Sequence, residues 1–218
     1  MKRITLIVCS AAIILFACNN EKTADVASST TTKDSAEAAK SETTSPPMDS
    51  AAMMKAMMDY ATPGEMHKLL ASFNGTWNGD ITMWMDPAAP PTKSTGTATN
   101  RMIYNGLYQE SKHKGNFMGM PFEGTSIWGY DNAKKKFVSS WIDNMGSGIM
   151  NVEGDYDASS KTFIFEGTMT NPLDGKDCNI RETVQIIDDN TQLMKMYGPD
   201  PKTGKQYQTM EIKMTRAK

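Results

Sequence analysis

The sequence predicts an all-β protein, a ten-stranded up-and-down β-barrel preceded by two short helices. From Gly75 to the end of the chain, apolar and polar residues alternate with a period of two, which is typical of half-buried strands. Turn residues interrupt this pattern about every ten to fifteen positions. Because only a closed sheet leaves no unpaired edge, strands that pair in sequence order are expected to close into a barrel.

Composition limits the classes of function. The chain has 218 residues, 39% of them hydrophobic, which suits one globular domain and an additional unfolded segment. The formal net charge is −2, and the only run of basic residues is Lys134-Lys135-Lys136. Nucleic-acid binding is therefore not expected, because it requires a basic surface. No motif for a cofactor or a metal is present, so the sequence predicts neither.

The first residues are typical of an export signal. Lys2 and Arg3 precede an apolar run over 4–16 that is too short to span a bilayer. The run ends Leu15-Phe16-Ala17-Cys18 and resembles the bacterial lipobox, in which the cysteine is lipidated and becomes the first mature residue. We therefore expect a lipoprotein signal peptide at 1–17 and a lipid anchor on Cys18. An ordinary secretory signal is the alternative. The expected location is the bacterial cell envelope, in the outer membrane.

Residues 18–50 form a Ser/Thr-rich segment that ends in Pro46-Pro47. This segment has too few large apolar side chains to offset the entropy of ordering, so we predict a disordered tether. Cys9 leaves with the signal peptide and Cys18 carries lipid. Cys178 then has no partner, and no intrachain disulfide is expected.

Two helices are predicted within 51–73. The first concentrates four methionines, and we interpret it as an amphipathic lid over the barrel mouth, with Cu(I) binding as the alternative. These methionines are Met53, Met54, Met57 and Met58. For the second helix, Thr62 and Glu65 have the spacing of a capping box, and Pro63 suits the first turn. Its predicted buried stripe is Met66, Leu69, Leu70 and Phe73.

The predicted barrel domain spans 74–218. The strands are expected near 77–85, 94–104, 107–115, 121–130, 135–143, 147–156, 161–170, 178–187, 191–197 and 205–216. Asn105-Gly106 predicts a type I′ hairpin turn. The pattern Tyr-Asp-x-x-x-Lys-x-Phe occurs at 130–137 and again at 156–163, which predicts two equivalent strand-turn-strand corners. Because ten strands enclose more space than the eight that side chains fill, we expect an internal cavity.

One pair of residues resembles the calycin superfamily, which comprises the lipocalins and their relatives. Gly75-Thr76-Trp77 opens the first strand, and Arg216 ends the last. In calycins such a tryptophan and arginine stack at the closed end of the barrel. By parity, Trp77 and Arg216 share the inward face of their strands, so the resemblance implies a barrel-closing contact between them.

A more extensive resemblance, to the bacterial DUF1579 family, covers most of the chain after Tyr60. It implies a secreted setting but no catalytic residues. The matching strings include Met83-Trp84-Met85-Asp86-Pro87, Gly119-Met120-Pro121-Phe122-Glu123-Gly124 and Trp141-Ile142-Asp143-Asn144-Met145.

These observations favour a lipid-anchored protein that binds a small, largely apolar ligand in the barrel cavity and is not an enzyme. The candidate lining residues are Trp128, Trp141, Phe163, Phe165, Met194 and Met196. One alternative is an envelope hydrolase or isomerase in which carboxylates such as Glu123, Asp143 and Glu182 meet inside the barrel. A second is a structural lipoprotein that binds a protein partner. We expect His113 to be an exposed or rim residue rather than a ligand to a metal or haem.

Overall fold

A computed structural model describes residues 49–172, 174–200 and 202–218. The predicted signal peptide, Cys18 and all but the last two residues of the predicted tether lie outside these ranges. The described chain is all-β apart from two short helices and a 3₁₀ turn. Ten antiparallel strands form a closed barrel in which each strand pairs with its neighbours in sequence and the first pairs with the last. The predicted fold class is confirmed.

The elements lie close to their predicted positions. Helix α1 spans Ser50–Tyr60 and helix α2 spans Glu65–Ala71. The strands are β1 Gly75–Met83, β2 Thr92–Ile103, β3 Tyr108–Phe117, β4 Met120–Asp131, β5 Lys136–Asp143, β6 Met150–Asp157, β7 Thr162–Thr170, β8 Asp177–Asp188, β9 Thr191–Pro199 and β10 Gln206–Arg216.

Pairing of β1 with β10 closes the barrel. The register runs from Trp77 opposite Arg216 to Met83 opposite Met210. Within each strand, alternate residues point to the same side of the sheet, so Trp77 and Arg216 both face the interior. This antiparallel pairing removes the two edges that an open meander would expose.

The repeated Tyr-Asp-x-x-x-Lys-x-Phe pattern forms two equivalent corners, as predicted. Asp131 Oδ1 accepts hydrogen bonds from the backbone amides of Ala133 and Lys134, at 2.9 Å each. Asp157 Oδ1 likewise accepts from the amide of Ser159 at 2.9 Å. Both Asp residues thus stabilise the turn, as Asp commonly does at such positions. The predicted type I′ turn at Asn105-Gly106 is wrong: Ile103 pairs with Tyr108, so four residues connect β2 and β3. Tyr104 (φ 48°) adopts a positive φ together with Asn105 (φ 60°) and Gly106 (φ 83°).

Helix α1 does not form the predicted lid. Each of its residues is exposed, and Met58, for example, retains 64% of its accessible surface. Its C-terminus instead bonds to the β4–β5 corner, where Asn132 Nδ2 donates to the carbonyls of Tyr60 and Thr62 at 2.9 Å each. All four methionines are therefore exposed to solvent rather than packed over the barrel.

The start of α2 also differs from the prediction. Thr62 Oγ1 donates to the Met58 carbonyl at 2.6 Å, so it caps the end of α1 rather than the start of α2. Gly64 is the N-cap of α2, and its amide donates to His67 Nδ1 at 3.0 Å. An imidazole three residues into the helix thus takes the position that a Glu occupies in an ordinary capping box.

The barrel has two unlike ends. We call the end beneath α2 the closed end; it also carries the β2–β3, β4–β5, β6–β7 and β8–β9 connections. In an up-and-down barrel, alternate hairpins lie at opposite ends, so the remaining five connections form the opposite end, the mouth. Within the described residues, no helix combines the length and the apolar character required to cross a bilayer.

Candidate ligand site in the barrel interior

At the closed end, barrel side chains bond to the carbonyl groups at the C-terminus of α2. The last carbonyls of a helix have no partner within the helix and need one elsewhere. Gln109 Nε2 donates to the Leu70 carbonyl at 2.6 Å, and both Trp77 Nε1 (2.9 Å) and Asn100 Nδ2 (3.1 Å) donate to the Phe73 carbonyl. The helix is therefore held over the barrel by directed hydrogen bonds as well as by apolar packing.

Arg216 completes this end of the molecule. Its guanidinium lies 4.3 Å from the centroid of the Trp77 ring, within cation–π distance. Nη1 donates to the Asn74 carbonyl at 2.6 Å, Nη2 donates to the Ser72 carbonyl at 2.9 Å, and Nε and Nη2 both donate to the Asp189 carbonyl at 3.2 Å. The last strand is thereby joined to the first strand, to the turn after α2 and to the β8–β9 turn.

Aromatic side chains fill the interior below α2. Phe163 is fully buried and packs against Phe73, Phe137 and Tyr156 at ring-centroid distances of 5.9, 4.9 and 4.7 Å. Phe165 is also fully buried. These two predicted lining residues therefore belong to the packed core and present no accessible surface to an interior space.

His67 belongs to the same packed end. It lies edge-on to Tyr130 with ring centroids 5.9 Å apart. Burial lowers the pKa of His67, and a backbone interaction with Tyr130 opposes this shift in part. Since Nδ1 accepts the Gly64 amide hydrogen bond, the neutral imidazole carries its proton on Nε2. The histidine is a neutral structural group.

Four of the predicted lining residues are only half-buried. Met194 and Met196 lie opposite Val184 and Glu182 of the neighbouring strand and share their inward face, yet both methionines are only half-buried. Trp128, which packs on Phe165 at 5.0 Å, and Trp141 are also half-buried and inward-facing. Trp128 and Met194 pack against the core cluster of the closed end, whereas Trp141 and Met196 lie farther toward the mouth.

The wall formed by β3, β4 and β5 carries small polar side chains. Ser111, Ser126 and Ser139 are buried, and Ser111 and Ser126 lie opposite each other across β3 and β4. In a ring of ten strands, β4 is five strands away from β9 in either direction, so this wall faces the one that carries Met194 and Met196. Small polar side chains therefore face flexible methionines across the barrel.

His113 and Trp141 lie on this polar wall near the mouth. His113 is inward-facing and half-buried, with its ring centroid 4.9 Å from that of Trp141. Burial lowers the pKa of His113 to about 4, so the imidazole is neutral at physiological pH. Trp141 lies directly over Gly124, where a Cβ atom would come within 2.5 Å of the indole. Position 124 must therefore be glycine for this arrangement to form.

Glu182 is the buried acid of the interior. The side chain points inward from β8, is 6% exposed, and lies between Phe165 on β7 and Met196 on β9. Burial raises the pKa of Glu182 to about 7. Within the described part of the chain, it makes no hydrogen bond or ion pair. A buried carboxyl without a partner is costly, and such groups are concentrated at functional sites.

The other carboxylates considered from the sequence do not join Glu182. Glu123 points outward and pairs with Lys114 at 3.3 Å. Asp143 accepts from Trp141 Nε1 at 2.7 Å and from the amide of Met145 at 2.8 Å, so it organises the β5–β6 turn. Among the residues that the structure describes, no group of three or more His, Cys, Asp or Glu side chains is placed to hold a metal ion.

Two surface grooves are separate from this interior. One, of about 520 Å³, runs over the outer wall at β1, β2 and β3, and the other, of about 440 Å³, runs over β5, β6 and β7. Neither groove includes a predicted lining residue. The barrel interior remains the candidate ligand site because the unpartnered acid and the half-buried indoles and thioethers meet there.

Sequence reasoning missed part of the arrangement. Gln109 and Asn100 support α2, although nothing in their local sequence distinguishes them from surface amides. His113 was expected at the surface or rim. Its inward position could have been found by parity, since Gln109, Ser111 and His113 share one face of β3 and that face is buried or half-buried throughout.

Comparisons with known proteins agree with this fold. The chain superposes on the crystal structure of Rv2717c from M. tuberculosis with a TM-score of 0.56 and 11% identity, over 72% of this chain and 100% of that one. It also superposes on the S-type phycobiliprotein lyase CPES from Guillardia theta with a TM-score of 0.51 and 6% identity, over 74% and 97% of the two chains. At these identities, the likeness establishes the fold alone.

The sequence comparison is more specific. No curated protein matches the chain. Residues 62–216, which run from the segment before α2 to the barrel-closing arginine, match the family model described as a protein of unknown function, DUF1579. The chain belongs to the DUF1579 family.

Proposed function

We propose that this protein is a lipid-anchored envelope protein that binds a small, largely apolar molecule in the mouth half of the barrel. The proposal depends on one observation. The core side chains beneath α2, such as Leu70, Phe137 and Phe163, are buried, whereas the inward-facing Trp141 and Met196 keep accessible surface farther toward the mouth. Ligand sites of this kind are mostly apolar, with a few polar groups that orient the guest.

The walls suit an apolar guest of variable shape. Thioether side chains are flexible and polarisable, and they contact aromatic rings favourably. The two indoles offer flat apolar surfaces, and the hydroxyls of Ser111, Ser126 and Ser139 are free to bond to a guest, because they make no hydrogen bond within the described residues. The fold is shared with a phycobiliprotein lyase, and a binding role is compatible with that likeness.

Binding is favoured over the hydrolase or isomerase alternative. General acid–base chemistry on a bound molecule usually needs two groups that converge on the reacting atoms. Neither of the other two acids lies beside Glu182 on β8. Asp143 accepts hydrogen bonds within the β5–β6 turn, and Glu123 pairs with Lys114 at the surface. The structural-lipoprotein alternative requires a filled barrel, and the accessible inward side chains argue against it.

The envelope location is the second half of the proposal. It is supported by the basic and apolar start of the chain, by the lipobox-like Leu15-Phe16-Ala17-Cys18 and by the polar segment that follows. In this arrangement, lipid on Cys18 holds the protein at the membrane, and the segment 18–50 lets the barrel move away from the surface.

Native mass spectrometry of the full chain purified from its own host tests the binding proposal directly. We expect a co-purifying molecule of defined mass in the wild type, and loss of that molecule in Met196→Trp, which fills the interior. Lys195→Trp is the matched control, because the adjacent side chain points out of the barrel and pairs with Glu211. A ligand-free wild-type spectrum together with no uptake of apolar probes would refute the proposal.

A further inference from the structure

The buried acid on β8 indicates the chemical class of the ligand. We propose that the guest carries a cationic nitrogen, an amine or substituted ammonium group on an apolar body, and that Glu182 is its counter-ion. This inference rests on the binding function proposed above and specifies its ligand. Three features of the interior support it: the missing partner of Glu182, the sign of the interior charge, and the nature of the surrounding walls.

The first feature is the unsatisfied carboxyl. Glu182 is 6% exposed, and its neighbours on the paired strands, Phe165 and Met196, offer no hydrogen-bond donor. On its own strand, the inward residues on either side are Ile180 and Val184, which are also apolar. A carboxyl in such a place would be replaced by an apolar side chain at no cost unless something else pairs with it.

The second feature is the charge of the interior. The inward-facing positions of the described strands carry two acids, Glu182 and Asp143, and one base, Arg216. Arg216 lies at the closed end, where its guanidinium contacts the Trp77 ring and donates hydrogen bonds to three backbone carbonyls. His113 is neutral. Within the described strands, the inward face of the mouth half therefore carries no base, and an anionic guest inside the barrel would meet only like charge; the unpaired lysines of the mouth, Lys93, Lys176 and Lys205, lie outside the inward face.

The third feature is the composition of the walls around the acid. Phe165, beside Glu182 on β7, is fully buried, so the aromatic ring with accessible surface in this cluster is Trp128, which packs on Phe165 at 5.0 Å. The faces of aromatic rings attract cations, Trp most strongly, and this attraction grows when water is excluded. A carboxylate beside aromatic and thioether groups is an environment that accepts an ammonium group together with its apolar substituents.

Three probes that share one alkyl chain and differ only in the head group test this inference: octylamine, 1-octanol and octanoate. Their binding to the full-length protein at pH 7.5 is followed by tryptophan fluorescence and by calorimetry. We expect octylammonium to bind roughly tenfold more tightly than octanol, since an added charge pair of about 1.4 kcal/mol corresponds to that factor. Octanoate is expected to bind most weakly.

Glu182→Gln keeps the shape of the side chain and removes the charge. We expect this variant to lose roughly the same tenfold preference for octylammonium while its affinity for octanol is unchanged. Glu166→Gln is the matched control, because Glu166 is an exposed acid that points outward from neighbouring β7 opposite Arg181. It should bind all three probes as the wild type does.

Proton release gives a second readout. At pH 6, the free Glu182 carboxyl is mainly protonated. Because a tenfold preference for the ionised carboxyl makes it tenfold more acidic in the complex, binding of an ammonium group should release about 0.4 proton, measured by calorimetry in buffers of different ionisation enthalpy. The release should vanish in Glu182→Gln and fall toward zero in the wild type above pH 8.

The outcomes separate the inference from the function on which it rests. Equal affinity for the three head groups, or an equal loss for all three in Glu182→Gln, would overturn the cationic ligand and leave apolar binding intact. Tighter binding of octanoate would also overturn it. If the wild type binds none of the three probes, the binding function fails and the cationic ligand fails with it.

Discussion

The two halves of the barrel interior differ in how far their polar groups are paired and their side chains are buried. At the closed end, Gln109 bonds to a carbonyl of α2, Arg216 bonds to carbonyls of the turn that follows α2, and Phe163 is fully buried among aromatic rings. In the mouth half, Glu182 has no partner and Met196 keeps accessible surface. The closed end therefore contributes most to stability, whereas the mouth half keeps unsatisfied groups at a cost in stability.

The largest expected effect comes from the closed end. Trp77→Ala should lower the free energy of unfolding by about 3–5 kcal/mol, because it leaves a cavity where β1 meets α2 and removes a hydrogen bond to Phe73. Chemical denaturation at pH 7 measures the loss. A loss below about 1 kcal/mol would show that the closed end does not hold the fold together.

The next effect is a gain in stability from the mouth half. Burial raises the pKa of Glu182 from 4.5 to about 7, so the folded state binds more protons than the unfolded state between these values and stability falls as the pH rises. Glu182→Gln should therefore be more stable than the wild type above pH 7, by up to about 3 kcal/mol, and unchanged near pH 4. Denaturation curves at pH 4 and pH 8 test this, and a destabilised variant at pH 8 would contradict it.

Loss of Arg216 should have a smaller effect than loss of Trp77. Arg216→Ala removes a cation–π contact and four hydrogen bonds to carbonyls, but the guanidinium is not fully buried and water can replace part of these bonds. We expect a loss of about 2 kcal/mol in the free energy of unfolding. Arg216→Lys is the control: it keeps the charge but lacks the planar donor fork, so it should recover only part of the loss.

The pH dependence of the free energy of unfolding in the wild type and in Glu182→Gln tests the environments of His113 and Glu182 together. Burial lowers the pKa of His113 from 6.5 to about 4, so the unfolded state binds more protons between these values and stability rises with pH. Glu182 contributes the opposite slope between 4.5 and about 7. In the wild type, the two slopes should nearly cancel between pH 4.5 and 6.5. Glu182→Gln should reveal a rise of about 1 kcal/mol per pH unit, and a flat profile would contradict the buried position of His113.

The smallest effect is expected outside the barrel. Met57→Gln on α1 should change the free energy of unfolding by less than about 0.5 kcal/mol, because Met57 is 61% exposed and packs against no core residue. Thermal denaturation of this variant beside Leu70→Gln, a fully buried position on α2, tests the difference between the two helices. A large loss in Met57→Gln would restore the view that α1 covers the barrel.

Much of the fold could be predicted from local sequence. The alternation of apolar and polar residues predicted the ten strands, because successive side chains of a strand point alternately to water and to the interior. Asp131 and Asp157 predicted their corners because each carboxylate bonds to amides only a few residues away. Trp77 and Arg216 could be placed on the inward face by counting parity along β1 and β10.

The roles of other residues were decided only by tertiary structure. Thr62 and Glu65 had the spacing of a capping box, yet Thr62 bonds back to α1 and Gly64 pairs with His67, since the ends of two helices compete for the same short segment. The methionines of α1 had helical spacing but are exposed to solvent.

The candidate site shows the same division. Residue type and period were enough to predict the barrel and the acids, indoles and thioethers of its walls. Only the closed sheet decided that Glu182 would lie between Phe165 and Met196 with no partner, while Glu123 would find Lys114 at the surface. The physical reason is that burial depends on closure of the sheet between β1 and β10, and pairing depends on the register between neighbouring strands; local residue patterns encode neither.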